Sequence, residues 1–199
     1  MSMQTPRSME SASPSTPALV IVMGVSGSGK TTVGALLASR LRWPFKDADW
    51  FHPPSNVDKM RSGIALTDED RRPWLAAIAG WIDKTRGSAE HGVIACSALK
   101  RSYRDILIGD RADVRLVYLK GDEALIARRL ATRHEHFMPQ GLLHSQFDAL
   151  EEPGPEENSI TAPIEPQPHE IVAGILTALN MAENTLPEQT SLRPPGVSA

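Results

Sequence analysis

The sequence predicts an α/β fold in which helices cover both faces of a central parallel sheet. Short apolar runs alternate along the chain with longer segments of helical period, as in repeated strand–helix–strand units. The run Leu19–Met23 is apolar throughout, which is typical of a strand that is buried on both faces. We therefore expect three layers, with this strand at the centre of the sheet.

The remaining elements follow from the same patterns. Residues 30–41 are predicted to form a helix, and a short strand is predicted to end near Asp47. Apolar runs at residues 93–96 and 114–119 are further strand candidates, each followed by helix-forming sequence. This order of elements predicts one domain of parallel strands and crossover helices.

A long helix is predicted over residues 68–85. Thr67 and Asp70 resemble a capping box, with aspartate in place of the usual glutamate or glutamine. Behind them Trp74 and Ile78 begin an apolar stripe at helical spacing. The helix should therefore begin directly after Thr67 and bury one face.

The ends of the chain differ in composition from the middle. Residues 1–17 and 183–199 are rich in Ser, Pro and Thr or Pro and Gly, and they show no apolar period. We expect a disordered leader and a disordered tail around a folded domain at residues 18–182.

Composition narrows the classes of function. The net charge of −3 offers no broad basic surface, so nucleic acid is not an expected partner. The single cysteine, Cys96, excludes an intramolecular disulfide, and no Cys/His spacing suggests structural zinc. No apolar run is long enough for a membrane helix, and no signal-peptide pattern is present. We expect a cytoplasmic protein with no membrane partner.

A phosphate-binding loop is predicted at residues 24–31, which fit G-x-x-x-x-G-K-[ST] between a strand and a helix. Lys30 should contact the β- and γ-phosphates, and the Thr31 hydroxyl should bind Mg²⁺. The alternative is a Gly/Ser-rich turn with an incidental lysine, which the strand and helix context disfavours. The residues expected to bind the nucleotide are Gly24, Val25, Ser26, Gly27, Ser28, Gly29, Lys30, Thr31 and Thr32.

An acidic pair should decide between a kinase and another nucleotide-binding protein. The strand at residues 93–96 ends without a carboxylate, whereas Asp47 and Asp49 follow the second predicted strand. In extended chain both side chains would share one face, so we assign Asp47 to Mg²⁺ and Asp49 to the acceptor hydroxyl proton. The alternative is an Asx turn that ends the strand.

A lid is predicted at about residues 128–140. Arg129 and Arg133 are four residues apart on a predicted helix, so together they can stabilise charge on the transferred phosphoryl group. The alternative is an ordinary solvated basic face.

The motifs resemble the small P-loop gluconokinases over nearly the whole folded region. The matching segments are residues 23–30, 47–49, 52–53, 59–60, 63, 66–71, 73–75, 96–100, 103–105, 118–121, 136–137, 146–147 and 150–154. This resemblance implies a three-layer P-loop NTPase fold with a small helical lid, use of ATP and Mg²⁺, phosphorylation of D-gluconate at its terminal hydroxyl by direct in-line transfer, and a homodimer.

The resemblance also implies an acceptor site of polar and cationic side chains. Its expected members are Asp49, His52, Arg71, Lys100, Arg104, His136 and Gln146. Either Arg71 or Arg104 can bind the carboxylate through a planar fork, and both remain open.

Structural explanations compete for several of these residues. Arg71 can pair with Asp68 on its own helix, and His52 before a proline can simply shape a turn. Trp74, Trp81 and Cys96 are expected in the core and are excluded from the site.

One segment departs from the family pattern. Pro163, Pro166 and Pro168 interrupt residues 158–168, where the last strand and the adenine-side loop are expected. Because proline cannot donate to a sheet ladder, this strand should be short or lie at an edge, and we assign no adenine contacts to this loop. Two rival functions stay open: a shikimate-kinase-like enzyme and a non-catalytic nucleotide-binding regulator.

Overall fold

The computed structural model describes residues 16–131 and 140–181. The described residues exclude nearly all of the predicted leader, the whole of the predicted tail and most of the predicted lid. The domain limits at residues 18 and 182 therefore stay predictions.

The sheet has five strands, all parallel, in the order β2-β3-β1-β4-β5. This confirms the predicted α/β architecture and the central position of the first strand. The strands are β1 at Leu19–Met23, β2 at Phe45–Asp47, β3 at Gly92–Ala95, β4 at Val114–Lys120 and β5 at Ile160–Pro163.

Helices connect these strands on both faces of the sheet. They are α1 at Lys30–Leu41, α2 at Pro54–Arg61, α3 at Asp68–Gly87, α4 at Arg101–Leu107, α5 at Glu123–Ala131, α6 at Gln140–Asp148 and α7 at Pro168–Ala178. Two 3₁₀ helices, at Ala48–Phe51 and Pro155–Glu157, complete the described elements. Within the described part of the chain, no helix is long and apolar enough to cross a membrane.

Two apolar layers lie on opposite faces of the sheet. Val20 and Val22 of β1 pack in the layer that contains α1 and α7, whereas Ile21 and Met23 pack in the layer that contains α3. Because successive strand side chains point to opposite faces, an unbroken apolar strand serves both layers. The β1 strand is therefore fully buried, as its composition predicts.

The start of α3 confirms the predicted capping box. The Asp70 N–H donates to the Thr67 hydroxyl oxygen at 3.2 Å, and the Thr67 N–H donates to the Asp70 carboxylate at 3.0 Å. The helix runs from Asp68 to Gly87, two residues longer than predicted at its end. This cap matters for the site because it fixes where the acceptor-side residues of α3 begin.

The last strand, β5, is short and lies at the edge of the sheet next to β4, as its prolines predict. Pro163 is its final residue and lies opposite Lys120. At this edge the missing proline N–H interrupts no further ladder.

Candidate active site

The phosphate loop lies between the end of β1 and the start of α1, at the carboxyl edge of the sheet. Gly24 and Gly27 both have positive φ angles, +148° and +81°. A Cβ at Gly24 would lie 3.0 Å from the Leu119 carbonyl oxygen, and one at Gly27 would lie 2.8 Å from Leu130 Cγ. Glycine is therefore needed at both positions for backbone angle and for space.

Lys30 is the first residue of α1, and its ammonium turns back over the loop. Its Nζ donates to the Val25 carbonyl oxygen at 3.0 Å. The N-cap residue Gly29 provides no side-chain cap, so the first N–H groups of α1 have no side-chain acceptor at that position. A helix N-terminus of this kind, with an ammonium beside it, suits phosphate oxygens.

Asp47 connects the second strand to the phosphate loop. Its Oδ2 accepts a hydrogen bond from the Thr31 hydroxyl at 2.9 Å, and its Oδ1 accepts one from the Asp49 N–H at 3.1 Å. Hydroxyl and carboxylate oxygens suit Mg²⁺, which takes few protein ligands and completes its shell with phosphates and water. The described residues contain no cluster of three or more His, Cys, Asp or Glu side chains that could hold a metal ion. A Mg²⁺ site with one carboxylate and one hydroxyl does not require such a cluster.

The backbone around Asp49 differs from the expected extended chain. Ala48–Phe51 form a 3₁₀ helix, and Asp47 caps it through the bond to the Asp49 N–H. The prediction that both carboxylates share a face of extended chain is therefore wrong. The Asx turn that was the alternative to a catalytic role is present, because Asp47 Oδ1 accepts from the Asp49 N–H. Asp47 also contacts the phosphate loop, because its Oδ2 accepts from the Thr31 hydroxyl.

Asp49 as a whole residue is exposed to solvent, but its carboxyl lies among charged groups. Partial burial of this carboxyl raises its pKa, and the charge of Asp47 adds to this, while His52 and Lys30 lower it. A carboxylate with a raised pKa, close to the phosphate-loop lysine, is suited to accept a hydroxyl proton.

His52 follows the 3₁₀ helix and stacks on Trp74, with ring centroids 4.6 Å apart and planes at 7°. Trp74 is buried and donates from Nε1 to the Ala48 carbonyl oxygen at 2.7 Å, which confirms its place in the core. The indole therefore supports both the 3₁₀ helix and the imidazole. Trp81, only partly buried, packs against the same core layer.

Arg71 lies in the first turns of α3 and is partly buried. Its charge acts on the pKa values of His52, Asp68 and Tyr103. Among the described residues, the one hydrogen bond of its side chain is a long one, 3.4 Å from Nη2 to the Leu66 carbonyl oxygen. The expected alternative, an ion pair with Asp68, is not formed.

Asp68 instead pairs with Lys100. The Lys100 ammonium lies 2.8 Å from both carboxylate oxygens, and the Tyr103 hydroxyl donates to Oδ1 at 2.5 Å. These bonds to Lys100 and Tyr103 lower the pKa of Asp68. Lys100 therefore lies at the crevice with its charge already opposed.

Arg104 does not occupy the position expected of a substrate ligand. It is 2% exposed and makes a two-pronged ion pair with Glu157, at 2.5 and 2.8 Å. Its Nη1 also donates to the Ala98 and Leu99 carbonyl oxygens, both at 3.1 Å. These bonds use most of the Arg104 donors inside the protein.

The Arg104 contacts stabilise an unusual turn next to the phosphate loop. Ala98 has a positive φ of 43°, which is uncommon for a residue with a side chain. The preceding carbonyl, that of Ser97, accepts from the Gly24 N–H at 3.4 Å. Arg104 thus supports the end of β3 where it meets the loop.

Gln146 of α6 contacts the phosphate loop directly. Its Oε1 accepts a hydrogen bond from the Ser26 N–H at 2.6 Å. Sequence reasoning placed Gln146 with the acceptor, and the structure places it against a backbone donor of the nucleotide side.

A cavity of about 280 Å³ lies on the nucleotide side. It is bounded by the phosphate loop, Thr32, Arg129 and the segment at residues 166–168. The Arg129 guanidinium donates to the Ile164 carbonyl oxygen. Residues 166–168 thus line the cavity beside the phosphate loop, although two of them are prolines.

Three further expectations are resolved or lie elsewhere. Cys96 is buried in the core, as predicted, and burial raises the pKa of its thiol to about 12. Arg133 and His136 fall outside the described residues, and their roles stay predictions. Asn56 and Glu157 were not singled out by sequence reasoning, because only their partners in the fold reveal them.

The family model described as shikimate kinase matches residues 26–153 of the chain. A gluconokinase of Gluconobacter oxydans is 44% identical over 160 residues, covering 80% of this chain and 90% of that protein. The crystal structure of a gluconokinase from Sinorhizobium meliloti 1021 is 43% identical, with a TM-score of 0.76 over 83% of this chain and 93% of that chain.

A shikimate kinase structure from Bacteroides thetaiotaomicron is more distant. It is 20% identical, with a TM-score of 0.59 over 82% of this chain and 99% of that chain. This likeness concerns the fold alone.

Proposed function

The chain belongs to the gluconokinases, a P-loop kinase family, and on that premise we propose that it transfers the γ-phosphoryl group of ATP to D-gluconate. The products are ADP and 6-phospho-D-gluconate. The observation that carries the chemistry is Asp47, which joins the phosphate loop through Thr31 to the backbone of Asp49.

The nucleotide side supplies positive charge where the transferred group gains negative charge. The N–H groups of the loop and the Lys30 ammonium are placed to bind phosphate oxygens. Thr31 and Asp47 are the residues that would hold Mg²⁺, which neutralises charge on the phosphates when bound. Arg129 lies beside the nucleotide cavity, and we retain Arg133 as its companion in the lid.

The acceptor side removes one proton and orients one hydroxyl. Asp49 accepts the proton of the terminal hydroxyl of gluconate. The hydroxyl oxygen forms a bond to the γ-phosphorus while the bond between the γ-phosphorus and the bridging oxygen of ADP breaks. No covalent enzyme intermediate is required. The raised pKa of Asp49 brings its basicity closer to that needed for this step.

The carboxylate of gluconate needs a cationic side chain that is not already paired with an acidic side chain of the protein. We assign this role to Arg71, because Arg104 is paired with Glu157. We retain His52, Lys100, His136 and Gln146 as ligands for hydroxyls or for the transferred group.

A gluconate-dependent assay of ADP release tests substrate and reaction together. We expect turnover with D-gluconate well above that with shikimate or other sugar acids, and ³¹P NMR should place the phosphate on the terminal hydroxyl. Shikimate turnover above gluconate turnover would favour the first rival. ATP binding without phosphorylation of any small acceptor would favour a regulator.

The Asp49→Asn variant tests the base directly. Loss of the carboxylate should lower kcat by about 10²-fold or more, because general-base catalysis contributes on that scale. ATP affinity, measured by calorimetry, should change little. Unchanged turnover would remove Asp49 from the mechanism.

The remaining proposals concern the setting of the enzyme. We propose a Mg²⁺-dependent homodimer that acts in the cytoplasm, without nucleic-acid or membrane partners. Light scattering on the purified protein tests the dimer, and turnover in EDTA with and without added Mg²⁺ tests the metal.

A further inference from the structure

Asn56 is a buried polar side chain in an otherwise exposed or half-exposed helix. It is 3% exposed, while most residues of α2 and all of residues 61–65 face solvent. A buried amide must find hydrogen-bond partners, because an unsatisfied one costs about 1–3 kcal/mol. Its partners therefore indicate what this helix is held against.

The first partner determines which way the amide faces. Asn56 Nδ2 lies 2.7 Å from the backbone carbonyl oxygen of Asp70. A carbonyl oxygen only accepts, so the group turned towards it must be the NH₂ and cannot be the amide oxygen. The usual ambiguity between the two ends of an asparagine side chain is thereby removed.

The second partner is the imidazole of His52. The same Nδ2 lies 3.4 Å from His52 Nδ1. Because both groups on Nδ2 are N–H donors, Nδ1 must be the acceptor, and a neutral imidazole then carries its proton on Nε2. Among the described residues, Nε2 has no hydrogen-bond partner of its own, so this N–H is available to a ligand.

The surroundings of the ring favour the neutral form. Burial lowers the pKa of His52; the charge of Asp49 on the 3₁₀ helix opposes this, and the charge of Arg71 on α3 adds to it. Stacking on Trp74 of the same helix holds the ring plane. An Nδ1–H would also face the Asn56 NH₂, so protonation at Nδ1 would break the Asn56 bond.

We infer that Asn56 is a positioning residue that holds His52 as a neutral Nε2–H donor towards an oxygen of the acceptor, beside Asp49. The identity of the acceptor rests on the proposed function, whereas the tautomer does not. A fixed N–H donor recognises a hydroxyl lone pair and orients the polyol while Asp49 takes the proton of the reacting hydroxyl.

The tautomer can be observed directly in the full-length protein. Long-range ¹H–¹⁵N correlation spectra distinguish the two neutral forms of histidine, and His52→Gln assigns the signal. We expect the Nε2–H form at neutral pH in the wild type. An Nδ1–H form would overturn the inference without any variant.

Asn56→Ala removes the donor, and Asn180→Asp serves as a control at an exposed position far along the chain. In Asn56→Ala the Nδ1–H population of His52 should rise and kcat/KM for D-gluconate should fall at least about tenfold, the scale of one lost hydrogen bond to a polar ligand. KM for ATP should stay within about twofold, and the control should match the wild type in all three.

The outcomes separate the two hypotheses. An unchanged tautomer ratio and an unchanged kcat/KM in folded Asn56→Ala would overturn the positioning role. If the wild type shows the Nε2–H form but no turnover of D-gluconate, the proposed function fails and the tautomer assignment stands. If Asn56→Ala does not fold, the wild-type spectrum still decides.

Discussion

The phosphate loop and the acceptor side lie at the same edge of the sheet, yet they present their polar groups differently. The loop offers backbone N–H groups and a single ammonium, Lys30, in positions determined by local geometry. The acceptor side carries long charged side chains, several of which pair with the protein itself, such as Lys100 with Asp68 and Arg104 with Glu157. Charge at a crevice therefore does not by itself identify a ligand.

Burial determines what these pairs do. Arg104 and Glu157 are both nearly inaccessible, whereas Asp68 is largely exposed. Removing one partner of a buried pair leaves an unpaired charge in the interior, which an exposed pair avoids. The acceptor side thus combines one structural ion pair with side chains that remain accessible to a substrate.

Replacing Arg104 should have the largest effect, and it should act on stability. In Arg104→Met the Glu157 carboxylate and two carbonyls lose their donors, so the free energy of unfolding should fall by about 3–5 kcal/mol. Urea denaturation measures this. The double variant Arg104→Met with Glu157→Gln should recover part of the loss, because it leaves no buried charge.

A result that reverses the comparison is easily recognised. If Arg104→Met costs less than about 1 kcal/mol and instead raises KM for D-gluconate, Arg104 is a substrate ligand.

Replacing Lys30 should act on catalysis and leave stability nearly unchanged. Lys30→Ala removes the ammonium beside the transferred group, and kcat should fall by about 10²–10³-fold, as for other preorganised donors. The free energy of unfolding should change by no more than about 0.5 kcal/mol. Lys84→Ala, an exposed lysine near the end of α3, is the matched control. Full activity in Lys30→Ala would refute the phosphate-loop assignment.

Arg71→Met tests whether the acceptor side keeps one cation for the substrate. Loss of a charged hydrogen bond of about 1.5–3 kcal/mol should raise KM for D-gluconate roughly tenfold to a hundredfold, with KM for ATP unchanged. Arg72 offers a close control, since it is its neighbour on α3 and pairs with Glu69 at the surface. Equal kinetics for the two variants would remove Arg71 from the site.

The same contrast explains how far sequence reasoning reached. The loop, β1, α1 and the Thr67 cap depend on residues close in sequence, so glycine spacing and capping patterns predict them. The Arg104–Glu157 pair spans 53 residues and the Ser26–Gln146 bond spans 120, and no local pattern encodes such partners. The 3₁₀ helix after Asp47 was also not predicted, because it depends on Trp74, which donates to it from a helix that is distant in sequence.

The smallest expected effect concerns Asp70, a partly buried carboxylate that links α2 to α3. The hydrogen bond from Lys59, followed by the bonds from the Thr67 N–H and hydroxyl, lowers the pKa of Asp70 to about 2. Because this pKa is lowered in the folded state, Asp70 stabilises the fold at pH values above its unfolded pKa, near 3.8, and this contribution is lost as the pH falls towards 2.

In Lys59→Met the pKa of Asp70, followed by ¹³C NMR of the carboxyl, should rise but stay below 3.8, because the Thr67 bonds remain. Lys59→Arg should preserve the low value, and added salt should weaken the Lys59 contribution because the Lys59 side chain is 42% exposed. An Asp70 that titrates near 3.8 in the wild type would show that this link between α2 and α3 is absent in solution.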